Sequence, residues 1–378
     1  MTSEEIMQKL EAHELAIQNV NIHKQQVKKV HQKRKDKMHI VYIMAWTKTC
    51  GGSKIILEYA NRLAERGHEI TIVTYDAKPD WFSLEERVRF NQVAEGELLE
   101  DNIPDCDLVI ATSWKCISIG LKCNKAPVIF FEQGGSHIFD VDNLSEEKKQ
   151  AVACRIQAVP FIYTVSKYAQ EKIKEIYKRD SEVMYNAIDE NIFFVGESQE
   201  KEKNEIDITI IGSEEFKFKN IDAILEAIRI LKRKYPIHLN WISQTEPKKN
   251  KEKAIVNPPQ IEIGNILRKT DIYICNSEYE SFGLPTLEAM RCGAAVITSD
   301  TGGMRDFVKD KINALVIKKN DINDIVEKVS ILIESPNDRR KLVEEGINTA
   351  KRFSWKNSID AIEEYYKELC NYKVDTLY

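Results

Sequence analysis

The chain has no run of about 18 apolar residues, so nothing in it reads as a membrane-spanning helix. Its 55 lysines and arginines are outnumbered by 60 aspartates and glutamates, and the net charge of −5 gives no basic field for general nucleic-acid binding. The 8 cysteines form no C-x-x-C pair and stand near no histidine at metal-ligand spacing, which argues against a zinc site or a disulfide framework. Several sit in apolar runs, as Cys275 does in DIYICNS, where a reduced thiol packs like a small hydrophobe and fits a reducing compartment. The start, MTSEEIMQKLEAHELAI, lacks the basic-then-apolar order of a signal peptide, and the expectation is a cytoplasmic protein. What is present is globular: 378 residues, 43% apolar and 30% charged, a length that suggests two domains at roughly 150 residues each.

Residues 1–37 differ from the rest. Ile6, Leu10, Ile17, Val20 and Val27 follow an imperfect heptad on an expected helix, interrupted at His13 and Lys24. Seven lysines and arginines crowd 24–37 against the single acid Asp36, a patch suited to peripheral contact with an anionic membrane or to self-association. The plainer alternative is a solvated helical extension. From Met38 onward, β-branched runs alternate with helical segments, as in HIVYIMAW, the helix GGSKIILEYANRLAERGH and EITIVTYD. Continuous apolar strands with helices between them predict a parallel sheet covered on both faces. A polar stretch, GESQEKEKNE, then separates a second series of the same kind, from IDITIIG to NALVI. The fold expected is α/β: two Rossmann-like doubly wound domains, 38–195 and 206–354, facing across a cleft. A helix in 355–378 is expected to pack across both.

Two segments carry chemistry. In MAWTKTCGGSK, Gly51 and Gly52 fall between a strand and a helix, where a ligand can approach the backbone and the helix N-terminus favours an anion. The turn is neither G-x-G-x-x-G nor a P-loop, which disfavours a dinucleotide-dependent oxidoreductase. In NSEYESFGLPTLEAMRCGAAVITSDTGG, Glu280 and Glu288 flank a turn containing Gly283 and Pro285, and the proline fits the first turn of a helix. Amides of Gly283, Leu284 and Thr286 would emerge from that helix N-terminus as a site for a diphosphate. Glu288 could accept from ribose hydroxyls, and Glu280 would face whatever lies beyond the phosphates. Isolated glutamates would read as surface residues; two sharing one Gly-Pro turn do not.

On these residues the chain resembles the retaining glycosyltransferases of family 4, with their two-Rossmann GT-B architecture. The resemblance runs from residue 38 to about 365. It is carried by GGSKIILEYANRLAERGHEITIVT, by TVSKYAQEKI with VMYNAID, and above all by EYESFGLPTLEAMRCGAAVITSDTGG, similar to the family's Glu-x7-Glu signature. It implies transfer of a sugar from a nucleotide-sugar to an acceptor with retention of configuration, in glycan, glycolipid or glycoprotein synthesis. By the resemblance, Glu280 sits near the donor sugar and Glu288 holds the ribose. Ser281, Phe282, Gly283 and Leu284 lie at the diphosphate, with Gly51 and Gly52 approaching from the other domain. The base would lie near Pro259, Gln260 and Ile261. Uracil, guanine and adenine are not distinguished, and a UDP-sugar is the working expectation.

The chain also departs from the family pattern. After the first strand of the second domain an arginine and then a lysine are usual; IIGSEEFKFKN places Ser213 at the arginine position, with Lys219 as the lysine and Lys217 as its alternative. One fixed cation for the leaving diphosphate is therefore missing. Many relatives carry a histidine after the strand corresponding to VIFFEQ; here Glu132 and Gln133 stand there, with His137 further on. Either Glu132 or His137 could position the acceptor or handle its proton. D-x-D occurs at Asp105–Asp107 and Asp140–Asp142, but chance supplies such triplets among 21 aspartates, and no metal is expected. Trp46, Trp81, Trp114, Phe130 and Phe131 are candidate sugar- or lipid-contacting residues. The missing arginine also admits a second reading, a catalytically silent GT-B protein that scaffolds an active transferase.

Overall fold

A computed structural model describes residues 23–30, 35–196 and 205–375. Contacts divide the chain into two compact units, one holding the chain up to Tyr185 together with Ser358 onward, the other Asn186–Asn357.

In the first unit, seven parallel strands lie in the order β4-β3-β2-β5-β6-β7-β8. They are β2 (His39–Ile43), β3 (Glu69–Thr74), β4 (Val88–Gln92), β5 (Leu108–Ala111), β6 (Val128–Glu132), β7 (Phe161–Thr164) and β8 (Glu182–Val183). The central strands are mostly apolar because helices cover both faces, and β5 and β6 are buried throughout, down to Glu132 at the end of β6. Side chains at several N-caps set where the helices begin: Cys50 Sγ accepts from the Ser53 amide, and Ser166 Oγ from the Ala169 amide. The C-terminal helix Trp355–Leu369 joins this unit from Ser358 onward. Its Tyr366 hydroxyl lies 2.8 Å from that of Tyr163 and 3.4 Å from that of Tyr42, and Ser358 Oγ lies 2.8 Å from the Tyr59 hydroxyl.

A small antiparallel ribbon pairs β1 (Val27–Lys29) with β15 (Tyr372–Val374). The helical stripe expected for residues 1–37 therefore does not extend to Val27. Gln25 explains the departure: buried, it donates to the Ala126 carbonyl and accepts from the Val128 amide, which ties this stretch to the sheet as extended chain. The remainder of the expected stripe, residues 1–22, lies outside the described residues, as do positions 31–34 of the basic patch.

The second unit holds six parallel strands in the order β11-β10-β9-β12-β13-β14. These are β9 (Ile206–Ile211), β10 (Ile237–Ser243), β11 (Ile255–Val256), β12 (Ile272–Cys275), β13 (Ala295–Ser299) and β14 (Leu315–Ile317). Trp241, fully buried, donates from Nε1 to the Gly212 carbonyl at 2.8 Å and fixes the end of β9. Succession reverses between β9 and β12, and in doubly wound sheets ligands bind at the carboxyl ends of strands at such a reversal.

All 8 cysteines are free; Cys116, Cys275, Cys292 and Cys370 are buried as expected, whereas Cys154 is exposed. Among the described residues, no helix is long and apolar enough to cross a membrane.

Candidate active site

Three loops meet at the carboxyl ends of adjacent strands β9, β12 and β13. The first, after β9, runs through Gly212 to a 3-10 turn over Lys217–Lys219. The second, after β12, carries Glu280, and the third, after β13, carries Gly302 and Gly303. Backbone bonds weld them together: the Glu280 amide donates to the Thr301 carbonyl at 3.2 Å, the Gly303 amide to the Glu280 carbonyl at 3.1 Å, and the Glu278 amide to the Phe218 carbonyl at 2.7 Å. Gly303 is required here. A Cβ at this position would lie 2.3 Å from the carbonyl oxygens of both Glu280 and Ser281.

At the centre is an ion pair. Lys219 Nζ lies 2.5 Å from Glu280 Oε1, and the Ser277 hydroxyl donates to the same oxygen at 2.7 Å. Burial would lower the lysine's pKa; the Glu280 carboxylate more than cancels this, so the ammonium stands above its ordinary range. Lys217, at the start of the same 3-10 turn, is exposed.

Beside the pair begins the helix Leu284–Cys292, with Pro285 in its first turn. Gly283 precedes it at φ 92°, a left-handed conformation that glycine adopts without steric cost. Among the described residues, no backbone acceptor is found for the amides of Gly283 and Leu284, which stand at this helix N-terminus. Thr286 corrects the sequence expectation: its amide donates to the Gly283 carbonyl at 3.1 Å, because the left-handed turn closes the first helical turn tightly. Phe282 contributes backbone only, since its ring is buried against Phe307 and Phe353 at centroid distances of 5.6 Å each. Ser281 is partly exposed, and Glu288, a turn into the helix, is buried.

Ser213, at the family's arginine position, is fully buried, with its hydroxyl 2.7 Å from Thr245 Oγ1. Its neighbour Glu214, not foreseen from sequence, is a second clamp on the same loop. The carboxylate accepts from the Lys249 amide at 2.8 Å and from Asn250 Nδ2 at 2.8 Å, with the Lys248 and Asn250 amides also donating. Burial acts to raise the Glu214 pKa, but these donors overcome it and hold the group at about 2. A depressed carboxylate pKa contributes stability that is complete above the unfolded value and is lost as pH falls toward the folded one. Between about pH 4.5 and about pH 2, the wild-type melting temperature should therefore fall more steeply than that of Glu214→Gln. Parallel slopes in a pH series of thermal melts would refute the clamp.

The base-side residues lie beyond β11, which β10 separates from β9. Pro259 precedes the helix Gln260–Leu267, so Gln260 and Ile261 start that helix. Among the described residues, no three His, Cys, Asp or Glu side chains gather as a metal ion would need.

In the first unit, Glu132 ends β6 and accepts from His137 Nε2 at 2.5 Å and from the Gly134 amide. Sequence left Glu132 and His137 as alternatives; the structure makes them one buried pair, in which the carboxylate orients the imidazole. The Tyr177 hydroxyl donates to the His137 carbonyl at 2.7 Å and steadies the short turn. Gly51 and Gly52 open the helix Gly51–Glu65 after β2. A Cβ at Gly51 would meet nothing within 4 Å, and one at Gly52 only the Gln133 amide group, at 3.6 Å. Of the aromatic candidates, Trp114, Phe130 and Phe131 are buried in the core, which removes them as surface contacts; Trp46 is 38% exposed.

Residues 195–349, which carry the ion pair and the Gly283 turn, match the family model described as glycosyl transferases group 1. This part of the chain is similar to that family. The chain is 26% identical over 219 residues to an uncharacterised glycosyltransferase of Methanocaldococcus jannaschii, covering 55% of this chain and 59% of that protein. Against the curated relatives it matches, the aligned region spans between about a quarter and three-fifths of their length. Sucrose-phosphate synthase from Thermosynechococcus elongatus superposes with a TM-score of 0.73 at 14% identity, covering 88% of this chain and 98% of that one. Anabaena HepE in complex with UDP-glucose gives 0.71 at 16% identity, covering 87% and 99%. These neighbours establish the GT-B fold, with one Rossmann-like parallel sheet in each unit.

Proposed function

We propose that the protein is a retaining, metal-independent glycosyltransferase that moves a hexosyl group from a nucleotide-sugar, with a UDP-sugar the first donor to test, to a glycan, lipid or protein acceptor. The observation that carries this reading is the Lys219–Glu280 pair at 2.5 Å, set beside the helix N-terminus at Gly283 and Leu284, at the point where the strand order of the second sheet reverses. As the glycosidic C–O bond breaks, its electron pair moves onto the diphosphate oxygen. Lys219 and the two amides meet that growing charge, with no dependence on a metal for it. The acceptor oxygen bonds to the anomeric carbon from the face the diphosphate leaves, and its proton passes to a diphosphate oxygen. Glu280 orients the donor sugar, Glu288 the ribose. Ser213 offers no cation, so Lys219 carries a larger share of the charge than a lysine with an arginine beside it.

The test is release of nucleoside diphosphate from UDP-, GDP- and ADP-sugars, with and without EDTA. At least one donor should raise the melting temperature, by mass action on the folded state, and turn over equally with the chelator present. Activity lost in EDTA and restored by Mg²⁺ would overturn metal independence. A product of inverted anomeric configuration by NMR would overturn retention, and absence of any nucleotide binding would leave the scaffold reading in place.

A further inference from the structure

Beside the ion pair lies a group of aromatic rings that the donor site does not use. Phe218 and Tyr279 are stacked, with centroids 4.8 Å apart and planes 12° from parallel, and Phe216 adjoins Phe218 at 5.9 Å. The rings come from the two loops that also carry Lys219 and Glu280, and the bond between the Glu278 amide and the Phe218 carbonyl holds those loops in register. Lys219 Nζ stands 5.4 Å from the Phe218 centroid. Phe216 is 43% exposed. A single exposed apolar side chain needs no explanation. Three adjoining rings at the carboxyl ends of β9 and β12, continuous with the reacting pair, are a different case.

We propose that Phe216, Phe218 and Tyr279 form a shelf that receives a pyranose ring of the acceptor, so that the acceptor is a glycan or glycoside and Phe216 is a specificity-determining residue. The proposal rests on the glycosyltransferase reading above. A flat aromatic face packs against the C–H face of a hexopyranose, while the sugar hydroxyls stay hydrated or meet polar groups at the rim. Such a rim is present: Glu215 and Lys217 flank Phe216 in sequence and both are exposed. Phe218 and Tyr279 cover one face of each other and Phe216 is tilted 39° from Phe218, so the shelf presents the exposed Phe216 ring backed by the stacked pair, a surface for one sugar unit. It is too small for a stable dimer, which buries roughly 800 Å² per partner.

The test uses the full chain, saturated with UDP, as wild type, Phe216→Ala and Phe216→Tyr. The probes are methyl gluco-, galacto- and mannopyranosides, with octyl β-glucoside as the apolar comparison, and binding is followed by ligand-observed NMR. For the best-bound methyl glycoside, Phe216→Ala should weaken affinity by roughly three- to tenfold, the range expected for one aromatic contact, and Phe216→Tyr should restore it. UDP affinity by calorimetry should be the same in all three proteins. Unchanged glycoside affinity in Phe216→Ala, or no glycoside binding to the wild type, would overturn the shelf. So would an effect confined to the octyl chain, or a change of sedimentation coefficient with the substitution. Failure of the wild type to bind UDP, GDP or ADP would strike the glycosyltransferase reading instead, and the glycoside titrations would still decide the shelf by themselves.

Discussion

Lys219→Ala should lower turnover by about 10²–10³-fold, the loss usual when a preorganised group that meets developing charge is removed. The expected size follows from the missing arginine. Ser213 is fully buried and bonded to Thr245, so no second cation occupies its place. Lys217 is exposed, and a solvated ammonium stabilises charge less than one held beside Glu280. The raised lysine pKa fixes the pH behaviour. A group whose folded-state pKa exceeds its unfolded value contributes stability that is complete below the unfolded pKa and is lost as pH rises through the folded one. The difference in melting temperature between wild type and Lys219→Ala should thus stay constant from about pH 6 to about pH 9 and shrink only above about pH 10.4. Turnover from single-cycle kinetics and a pH series of thermal melts check the two parts separately. Wild-type turnover in the variant would mean that the diphosphate charge is met elsewhere.

Much of this site is written in local sequence, and the rest in pairings between distant loops. Gly283 and Pro285 announce a helix start because their backbone demands are local, and the second domain's apolar strands read as parallel for the same reason. The edge strands β4 and β11 were not foreseen. VRFNQ is half polar, and Ile255–Val256 is only two residues long, so neither gives a continuous apolar run. Glu214 was missed for a different reason: its partners lie 34 to 36 residues away, and all but the Asn250 side chain are backbone amides, which carry no sequence signal. The joining of Glu132 with His137 was half visible, since the two are five residues apart, but the turn through Gly134 that brings them together has no sequence code of its own. Val27 shows the opposite error. A heptad stripe records only which positions are apolar, and the buried bonds of Gln25 select extended chain at that point.

Gly303→Ala should weaken donor binding by about 10²-fold or more while leaving a folded chain. The glycine lies beyond the Glu-x7-Glu segment, in the loop after β13, and its importance comes from what an added methyl would strike. The nearest atoms are the carbonyl oxygens of Glu280 and Ser281, both at 2.3 Å, and the Ser281 carbonyl carbon at 2.5 Å. All are backbone, so no rotamer change relieves the clash and one loop must move. The Glu280–Gly302 bridge and the bond from the Gly303 amide to the Glu280 carbonyl would break together. Glu280 would then leave Lys219 and Ser277, and the Gly283 turn would shift with it. Over-packing of this kind costs about 1–3 kcal/mol, or roughly 2–9 °C in melting temperature for a domain of this size. A displacement near 1 Å at a reacting centre costs about 10²-fold, so the functional loss should far exceed the structural one. Circular dichroism with a thermal melt reads the first effect, and calorimetry with the nucleotide reads the second. Gly283 offers a graded comparison, because a Cβ there meets the flexible Met304 side chain, nearest at 2.6 Å, and its main burden is the left-handed φ. If Gly303→Ala bound nucleotide as the wild type does, the Glu280 turn could not be what holds it, because no placement of that methyl leaves the turn where it stands.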